Sequence, residues 1–222
     1  MAFNTKLPIV TDGLIFSVDP YNKKSYVSGD TTCNILNGVY TGGTLNNGVT
    51  YDDFSWGFNG TDQSIDFGNI LNQSTNDFTI STWVKLVDNG LSVSVIVSKR
   101  ENSIPFTGYE LRVSSSGLPT LILDGPVNDS NRFSSVAIYD DTWHNITAVF
   151  NVSGDVLDVY TDGILTNGSS ANSPLAVGSV DNIIDFYIGQ RGNDFWVEGG
   201  ISSVLMYNRV LTPSEIKQNY NA

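Results

Sequence analysis

Short runs in which apolar and polar residues alternate recur along the chain, each bounded by Gly, Asn, Asp or Ser. One such run, Phe78–Lys85, places Phe78 and Ile80 on one face and Trp83 on the other. Alternation of this kind suits a β-strand, because successive side chains of a strand point to opposite faces. The pattern therefore predicts an all-β chain. The other predicted strands are 13–18, 63–67, 93–98, 109–113, 120–123, 144–150, 156–160, 183–188 and 201–207.

The number and spacing of these strands predict the architecture. Roughly a dozen strands at intervals of about 8–14 residues are typical of two antiparallel sheets packed as a sandwich. One helix is predicted at the C-terminus, where Thr212 and Glu215 form a capping box around Pro213 at the first helical position. The chain shows no linker, repeat or low-complexity segment. We therefore expect one domain, 13–222, preceded by an N-terminal arm, 1–12.

The charge of the chain excludes several classes of partner. The chain has 11 Lys and Arg residues against 23 Asp and Glu, a net charge of −12. This charge repels nucleic acid and an anionic membrane surface. No apolar run approaches the ~20 residues that span a bilayer, and Met1–Pro8 lacks the basic and then apolar pattern of a secretion signal. We expect no nucleic-acid partner, no membrane partner and no export by the general secretory route.

Several segments, in order and spacing, resemble the laminin-G-like branch of the concanavalin A-like jelly rolls. The resemblance spans about residues 13–220. It implies a two-sheet antiparallel jelly-roll sandwich, with Trp83 and Trp143 in core positions; the alternation around Trp56 also predicts a core side chain. The segments that carry the resemblance are Phe58–Gly68, Phe78–Lys85, Asp141–His144 with Leu157–Gly163, and Ile188–Gly189 followed by Gly199–Ile216.

The opening of the domain resembles stand-alone proteins of this type from tailed bacteriophages. The resemblance lies in Gly13–Pro20, Lys24–Tyr26 and Gly43–Tyr51. Such proteins are virion components: capsid decorations, head fibres or tail fibres. The chain departs from the pattern at Cys33–Leu36, where Trp-Tyr-Asp-Leu is common, so that loop is not expected to bind a ligand. Because the arm 1–12 precedes the resemblance, we expect it to attach the protein to its particle, and its deletion to leave the domain folded.

The residues needed for catalysis are few and scattered. Retaining glycosidases of this jelly roll place two carboxylates on one strand, about 5–5.5 Å apart. None of the four glutamates lies within eight residues of another, and Glu110 has Arg112 two positions on. His144 is the single histidine and Cys33 the single cysteine, which disfavours a Ser-His-Asp triad and a zinc site. We predict that the protein is not an enzyme and that His144 is a packed or capping side chain.

A sugar-binding site needs an aromatic face for the apolar side of the sugar ring and planar polar side chains for its hydroxyls. Trp196 follows a polar loop and points outward if Phe195 and Val197 point inward. Arg191 and Asn193 would then lie beside it, and an arginine donates two hydrogen bonds in a fixed fork. The alternative is that Trp196 covers a sheet face or an oligomer contact. The secondary candidates are Tyr109 and Asp124, which opens the loop 124–129.

Calcium is the cofactor that the loops suggest. Ca²⁺ takes six to eight oxygen ligands, and acidic, Asn-rich loops at the rim of a jelly roll supply them. Laminin-G-like domains often bind one such ion there, so the resemblance points the same way. The candidate ligands are Asp62, Asp77 and Asp194. The alternative is that these aspartates are ordinary turn residues.

Taken together, these features predict a non-catalytic surface protein of a phage virion, part of the capsid decoration or of a fibre, that binds glycans or serves adhesion. Its expected partners are other virion proteins, cell-surface or environmental glycans, and further copies of itself. Two alternatives stay open: an assembly protein without a sugar ligand, and a cellular carbohydrate-binding module.

Overall fold

The computed structural model describes residues 7–37, 40–88, 90 and 93–222. Within them, strands β1–β17 form two antiparallel sheets, and one α-helix lies at the C-terminus. The predicted fold class is confirmed. The strands are β1 Leu14–Val18, β2 Thr32–Cys33, β3 Gly43–Asn46, β4 Thr50–Tyr51, β5 Trp56–Asn59, β6 Ser64–Asp66, β7 Phe78–Leu86, β8 Val93–Arg100, β9 Gly108–Ser114, β10 Pro119–Asp124, β11 Asp129–Ser134, β12 Trp143–Asn151, β13 Val156–Thr161, β14 Ile164–Leu165, β15 Asn167–Ala171, β16 Tyr187–Ile188 and β17 Glu198–Tyr207; a 3₁₀ turn covers Pro174–Ala176 and helix α1 covers Pro213–Asn221.

Sheet A has the strand order β14-β13-β12-β7-β17-β5-β4, with β1 also paired to β17. Sheet B has the order β15-β11-β10-β9-β8-β16-β6-β3-β2. Several neighbours in each sheet are distant in sequence, as in β7 beside β17 and β8 beside β16, so the chain crosses repeatedly between the sheets. Strand β17 is long enough to have two neighbours on one side, because β5 pairs with its first half and β1 with its second half.

The main core lies between the sheets, where the inward members of the alternating strands meet. Phe78 and Ile80 of β7 belong to it, as the alternation predicts, and the Phe78 ring stacks on Phe150 with centroids 4.2 Å apart. Trp56 is fully buried there, and Cys33 is 1% exposed. Because apolar side chains from both sheets fill this layer, the fold rests on burial rather than on a disulfide.

A second, smaller apolar cluster forms on the outer face of sheet A. Helix α1 contributes Ile216 to it, sheet A contributes Leu205 and Tyr207, and the segment before β1 contributes Val10. The predicted capping box is present: the Thr212 hydroxyl accepts the Glu215 N–H, and the Glu215 carboxylate accepts the Thr212 N–H. No helix within the described residues is long and apolar enough to cross a membrane.

Residues 1–6 of the predicted arm lie outside the described residues. The rest of it packs on the domain. The Val10 N–H donates to Asn219 Oδ1 (2.8 Å), and the Tyr207 hydroxyl donates to the Val10 carbonyl (2.9 Å). Gln218 Nε2 donates to the Pro8 carbonyl at 2.7 Å. This part of the segment is therefore held by helix α1 and by β17.

The predicted core positions of Trp83 and Trp143 are wrong. Both belong to the outward-facing set of their strands, because Phe78, Ile80, Ile146 and Phe150 occupy the inward set. Trp143 is 38% exposed, and Trp83 is half-buried, with its ring stacked on Tyr220 of helix α1 at 5.5 Å. The predicted strand 183–188 is also shorter than expected, since only Tyr187–Ile188 pairs in the sheet.

Candidate functional site

An open groove of about 590 Å³ lies on the outer face of sheet B. We call it the sheet B groove. Strands β8–β11 form its floor, and the loops 104–106 and 125–129 form its rims. The alternation of the strands sets which side chains reach it. Because Leu111 and Leu121 point into the core, their neighbours Arg112 and Ile122 point outward to the floor.

An ion pair between Arg100 and Asp124 forms one side of the floor. The Arg100 and Asp124 side chains are only 9% and 6% exposed, and the Arg100 guanidinium also lies 4.3 Å from the ring centroid of Phe106. Burial raises the pKa of the Asp124 carboxyl, although the neighbouring Arg100 works in the opposite direction. Both charges are thus held in fixed positions at the edge of the groove.

A second charged network lies on the same sheet face. Glu110 is fully buried, and its carboxylate accepts from Arg191 Nη1 at 3.1 Å and from Arg112 Nη1 at 3.4 Å. Arg191 Nε also donates to Asn102 Oδ1 (3.2 Å), and its guanidinium covers the Phe195 ring at 4.3 Å. Burial lowers the pKa of Arg191, and Glu110 opposes that shift. This network fixes the loop 190–195 to sheet B.

The remaining groove surface combines polar and apolar groups. Asn131 projects from β11 between Arg112 and Asp124, and its amide makes no hydrogen bond to the described residues. Ile104 in the β8–β9 loop and Val127 in the β10–β11 loop line the groove at the same end of the sheet, and each is 83% exposed. A polar floor of planar side chains beside apolar rims can contact the hydroxyls and the C–H faces of a small polar ring.

Two carboxylates that are far apart in the sequence, those of Glu110 and Asp124, lie near each other in sheet B. Glu110 and Asp124 lie on the neighbouring strands β9 and β10, on the same face and two positions apart in register. No single-strand motif signals this pair. Glu110 is covered by Arg112 and Arg191 and has no exposed surface, so it cannot contact a substrate. A glycosidase needs both carboxylates at the scissile bond, so this pair does not form such a site.

The predicted ligand residues are dispersed rather than gathered. Asp124 lines the sheet B groove, whereas Arg191 is 6% exposed and bonded to Glu110, so it does not form a platform with the half-buried Trp196. Asn193 is exposed in the turn of loop 190–195. The prediction of Tyr109 as a ligand-binding residue is wrong. Its side chain points into the core and is fully buried, and its hydroxyl donates to the Leu71 carbonyl at 2.8 Å. It cannot contact a ligand.

The three candidate calcium ligands lie in separate loops, and each already accepts a hydrogen bond from the protein. Asp62 accepts from Asn59 Nδ2 (2.8 Å), Asp77 accepts from the Ser153 N–H (2.8 Å), and Asp194 accepts the Phe195 N–H (2.9 Å). Across the described residues, no group of three or more His, Cys, Asp or Glu side chains is arranged to hold a metal ion. Asp62 and Asp194 bond within their own turns, Asp77 links its turn to the loop at Ser153, and calcium binding stays a prediction.

His144 holds two turns together. Its Nδ1 lies 2.8 Å from Asp162 Oδ2, and its Nε2 lies 3.1 Å from Thr142 Oγ1 and 3.2 Å from Asp140 Oδ1. The sequence predicts a packed or capping side chain at this position, and His144 is half-buried between the two turns.

Comparison with known proteins places the fold. The profile of the concanavalin A-like lectin/glucanases superfamily (Laminin_G_3) matches residues 59–217. A curated relative, "Non-toxic nonhemagglutinin" of Paraclostridium bifermentans, is 32% identical over 108 residues, which is 47% of this chain and 9% of that protein. This chain therefore matches less than a tenth of that relative's length.

Two solved structures illustrate the likeness of fold. The binding domain of Paraclostridial Mosquitocidal Protein 1 has a TM-score of 0.65 and 20% identity, covering 94% of this chain and 52% of that one. Trypanosoma rangeli sialidase in complex with sialic acid has a TM-score of 0.70 and 16% identity, covering 97% of this chain and 34% of that one. The superfamily profile covers most of the chain and agrees with the two-sheet topology described above. The chain belongs to the concanavalin A-like lectin/glucanases superfamily.

Proposed function

We propose that the protein is a non-catalytic glycan-binding module and that the sheet B groove is its sugar site. The observation that carries the proposal is the floor of the groove, where the fixed Arg100–Asp124 pair and the unbonded amide of Asn131 lie beside apolar rims. Fixed planar donors and acceptors recognise sugar hydroxyls with little loss of side-chain entropy. Ile104 and Val127 on the rims offer apolar contact to the ring C–H groups.

The similar proteins support a binding role. One solved structure is named a binding domain, and another is a sialidase in complex with sialic acid. The fold is shared with both, and the proposal transfers only the general capacity for binding. Because Asp124 in the groove is paired with Arg100 and the nearby Glu110 is paired with Arg191, we propose binding without hydrolysis.

A glycan array followed by calorimetry of the selected glycan tests the sugar site. Asn131→Ala is expected to weaken binding by about tenfold, the equivalent of one or two lost hydrogen bonds. Asn76→Ala is the matched control, because Asn76 is exposed and lies outside the groove. Equal affinity of the two variants would contradict the site. A blank array would favour the alternative of an assembly protein without a sugar ligand.

Calcium dependence is tested in the same screen, run with calcium and with EDTA. If glycan binding requires calcium, we propose that Asp62, Asp77 and Asp194 supply oxygen ligands to Ca²⁺. Removal of calcium would then lower both glycan affinity and melting temperature, since an ion bound to the native state stabilises it. Identical results in the two arms would count against the ion.

We further propose a location on a phage virion, in a capsid decoration or a fibre, with other virion proteins and further copies of this chain as partners. The support is the resemblance of Gly13–Pro20 and Gly43–Tyr51 to such proteins. Antibodies against the protein should label purified particles of the phage that encodes it, and sedimentation should reveal an oligomer. Unlabelled particles would contradict this location.

A second candidate is a binding segment within a larger bacterial protein. It is favoured by the 32% identity to part of "Non-toxic nonhemagglutinin". Mass spectrometry of the native protein from its source distinguishes the two, because this candidate requires the chain to be covalently continuous with further domains.

A further inference from the structure

We propose that the outer face of sheet A carries a second saccharide site, separate from the sheet B groove, which takes a neutral sugar. Its surface, the aromatic face, is defined by Tyr21, Phe54, Trp83 and Trp143. Tyr21, Phe54 and Trp143 are 66%, 63% and 38% exposed. Helix α1 and the smaller apolar cluster cover the neighbouring part of the same sheet face. Because the outer faces of the two sheets point in opposite directions, neither site can share residues with the other.

The rings are held in place by the local structure. Tyr21 and Phe54 stack nearly parallel, with centroids 5.7 Å apart and 9° between their planes. The Ser202 hydroxyl donates to the Phe54 carbonyl at 2.9 Å. Ser202 and Ser203 form the bulge of β17 that lies opposite Trp83 of β7. The backbone of Phe54 is therefore bonded to the bulge that lies beside Trp83 in the sheet.

Trp143 completes the surface because a glycine makes room for it. A Cβ on Gly200 would come within 3.0 Å of Trp143 Cη2 and within 3.1 Å of Ser55 Oγ. The Trp143 indole can therefore cross the sheet toward Ser55, the residue after Phe54. Gly200 pairs with Gly57 in the sheet, and the space above both glycines is already filled, by the Trp143 indole over Gly200 and by the Thr50 hydroxyl beside Gly57. A sugar ring would therefore stack on the aromatic rings themselves rather than on the backbone of the sheet.

A cavity of about 320 Å³ opens beside Trp83, between the end of helix α1 and the loop 19–22. Ser17, Asp19, Asn22 and Ser203 supply polar groups to it. The Asn22 side-chain NH₂ and the Ser203 hydroxyl make no hydrogen bond to the described residues, so both remain available for a ligand.

The charge at this cavity selects the ligand class. Among the described residues that line it, Asp19 has the only charged side chain, and burial raises the pKa of its carboxyl against the opposing hydrogen bonds from Tyr21 and Asn22. No lining side chain of this described set is a cation, so a carboxylate or sulfate would meet repulsion without compensation. A neutral saccharide fits, with C–H faces on the rings and hydroxyls toward Asp19, Asn22 and Ser203.

Titration by NMR tests the proposal, with cellotetraose, maltotetraose and N,N′-diacetylchitobiose as probes up to about 20 mM. At least one probe should shift the indole N–H signals of Trp83 and Trp143 in a saturable way. A Tyr21→Ala/Phe54→Ala variant should bind that probe about tenfold more weakly. Ile183→Ala, which removes a side chain that is 82% exposed elsewhere, should bind as the wild type does.

The outcomes separate this site from the groove. Asn131→Ala should leave the Trp83 and Trp143 shifts unchanged, so loss of groove binding leaves this proposal standing, and the reverse also holds. Unmoved indole signals with all three probes would overturn it, as would equal affinity of Tyr21→Ala/Phe54→Ala and Ile183→Ala. A wild-type dimer that dissociates in Tyr21→Ala/Phe54→Ala would also overturn it, because the face would then be a contact between copies of the chain. With both sites present, the protein should cross-link glycan-coated beads.

Discussion

At the scale of single residues, the charged side chains inside the protein are the groups whose behaviour departs most from that in water. Lys99 is fully buried, and its Nζ donates to Asn69 Oδ1 at 2.7 Å and to the Ile184 carbonyl at 2.6 Å. Burial lowers the pKa of Lys99 to about 8, although Asp185 and Asp181 oppose the shift. The interior therefore holds an ammonium group that is close to losing its proton.

Lys99→Met should alter how stability depends on pH. The unfolded lysine has a pKa of about 10.4, so between the folded pKa of about 8 and that value the unfolded state binds more protons. The free energy of unfolding of the wild type should therefore rise with pH in this window. Urea unfolding from about pH 7 to 10, compared between wild type and Lys99→Met, should show this rise only in the wild type. The exposed Lys217→Met is the control, and parallel curves for wild type and Lys99→Met would contradict the prediction.

The contribution of His144 to the free energy of unfolding should fall as pH rises, opposite to that of Lys99. Burial lowers the pKa of His144, but hydrogen bonds and charge from Asp162 and Asp140 outweigh it, so the folded pKa is raised. The stabilisation is fully present below the unfolded pKa of about 6.5 and is lost as pH rises through the folded value. His144→Asn should thus lower the melting temperature more at about pH 5.5 than at about pH 8.5. An equal loss at both values would count against the ion pairs.

At the scale of elements, the helix was the easiest to predict and β11 the hardest. Thr212, Pro213 and Glu215 carry a local signal, because a capping box is complete within four residues. β11, Asp129–Ser134, was missed because its side chains are mostly polar and only half-buried. It pairs with β10 on one side and β15 on the other. Its strand geometry is therefore imposed by its neighbours rather than by its own sequence.

Thr212→Ala tests the start of helix α1. The substitution removes the acceptor of the Glu215 N–H, so it should lower the free energy of unfolding by about 1 kcal/mol. Ser214→Ala, one position before Glu215 and exposed, should change it by less than about 0.5 kcal/mol. Denaturant unfolding of both variants provides the measurement. Equal effects of the two substitutions would mean that the cap does not determine the helix start.

At the scale of the whole molecule, the segment before β1 joins the two ends of the chain. Val10 is 8% exposed in the cluster that helix α1 and β17 complete. The contacts of Val10 with Asn219 and Tyr207 connect residues about two hundred positions apart. These contacts predict that the segment stabilises the domain, which differs from the expectation of a separate arm whose deletion leaves the domain folded.

Deletion of residues 2–11 should lower the free energy of unfolding by about 2–4 kcal/mol, because apolar surface is exposed and two buried polar groups lose partners. Leu7→Ala, at a position that is 63% exposed, should change it by less than about 0.5 kcal/mol. Thermal unfolding of both proteins is the measurement. A truncated chain with the melting temperature of the full chain would restore the expectation of a detachable arm.

The sequence by itself determined the fold class, most of the longer strands and the C-terminal helix, because alternation and capping are local signals that survive without tertiary contacts. It also named Asp124 as a secondary ligand candidate and His144 as a packed or capping side chain; Asp124 lines the groove, and His144 is bonded to two turns. The tertiary structure decided which face of each strand is covered. As a result, Trp83 and Trp143 lie on the outer face instead of in the predicted core, and Tyr109 lies in the core instead of at a ligand site. It also decided that the Arg191 side chain forms an ion pair with Glu110 and is not free for a ligand. The sequence does not signal this ion pair, because the two residues are about eighty positions apart and meet only in the folded chain. Alternation divides a strand into two faces, but only the packing of the sheets and helix α1 determines which one meets a ligand.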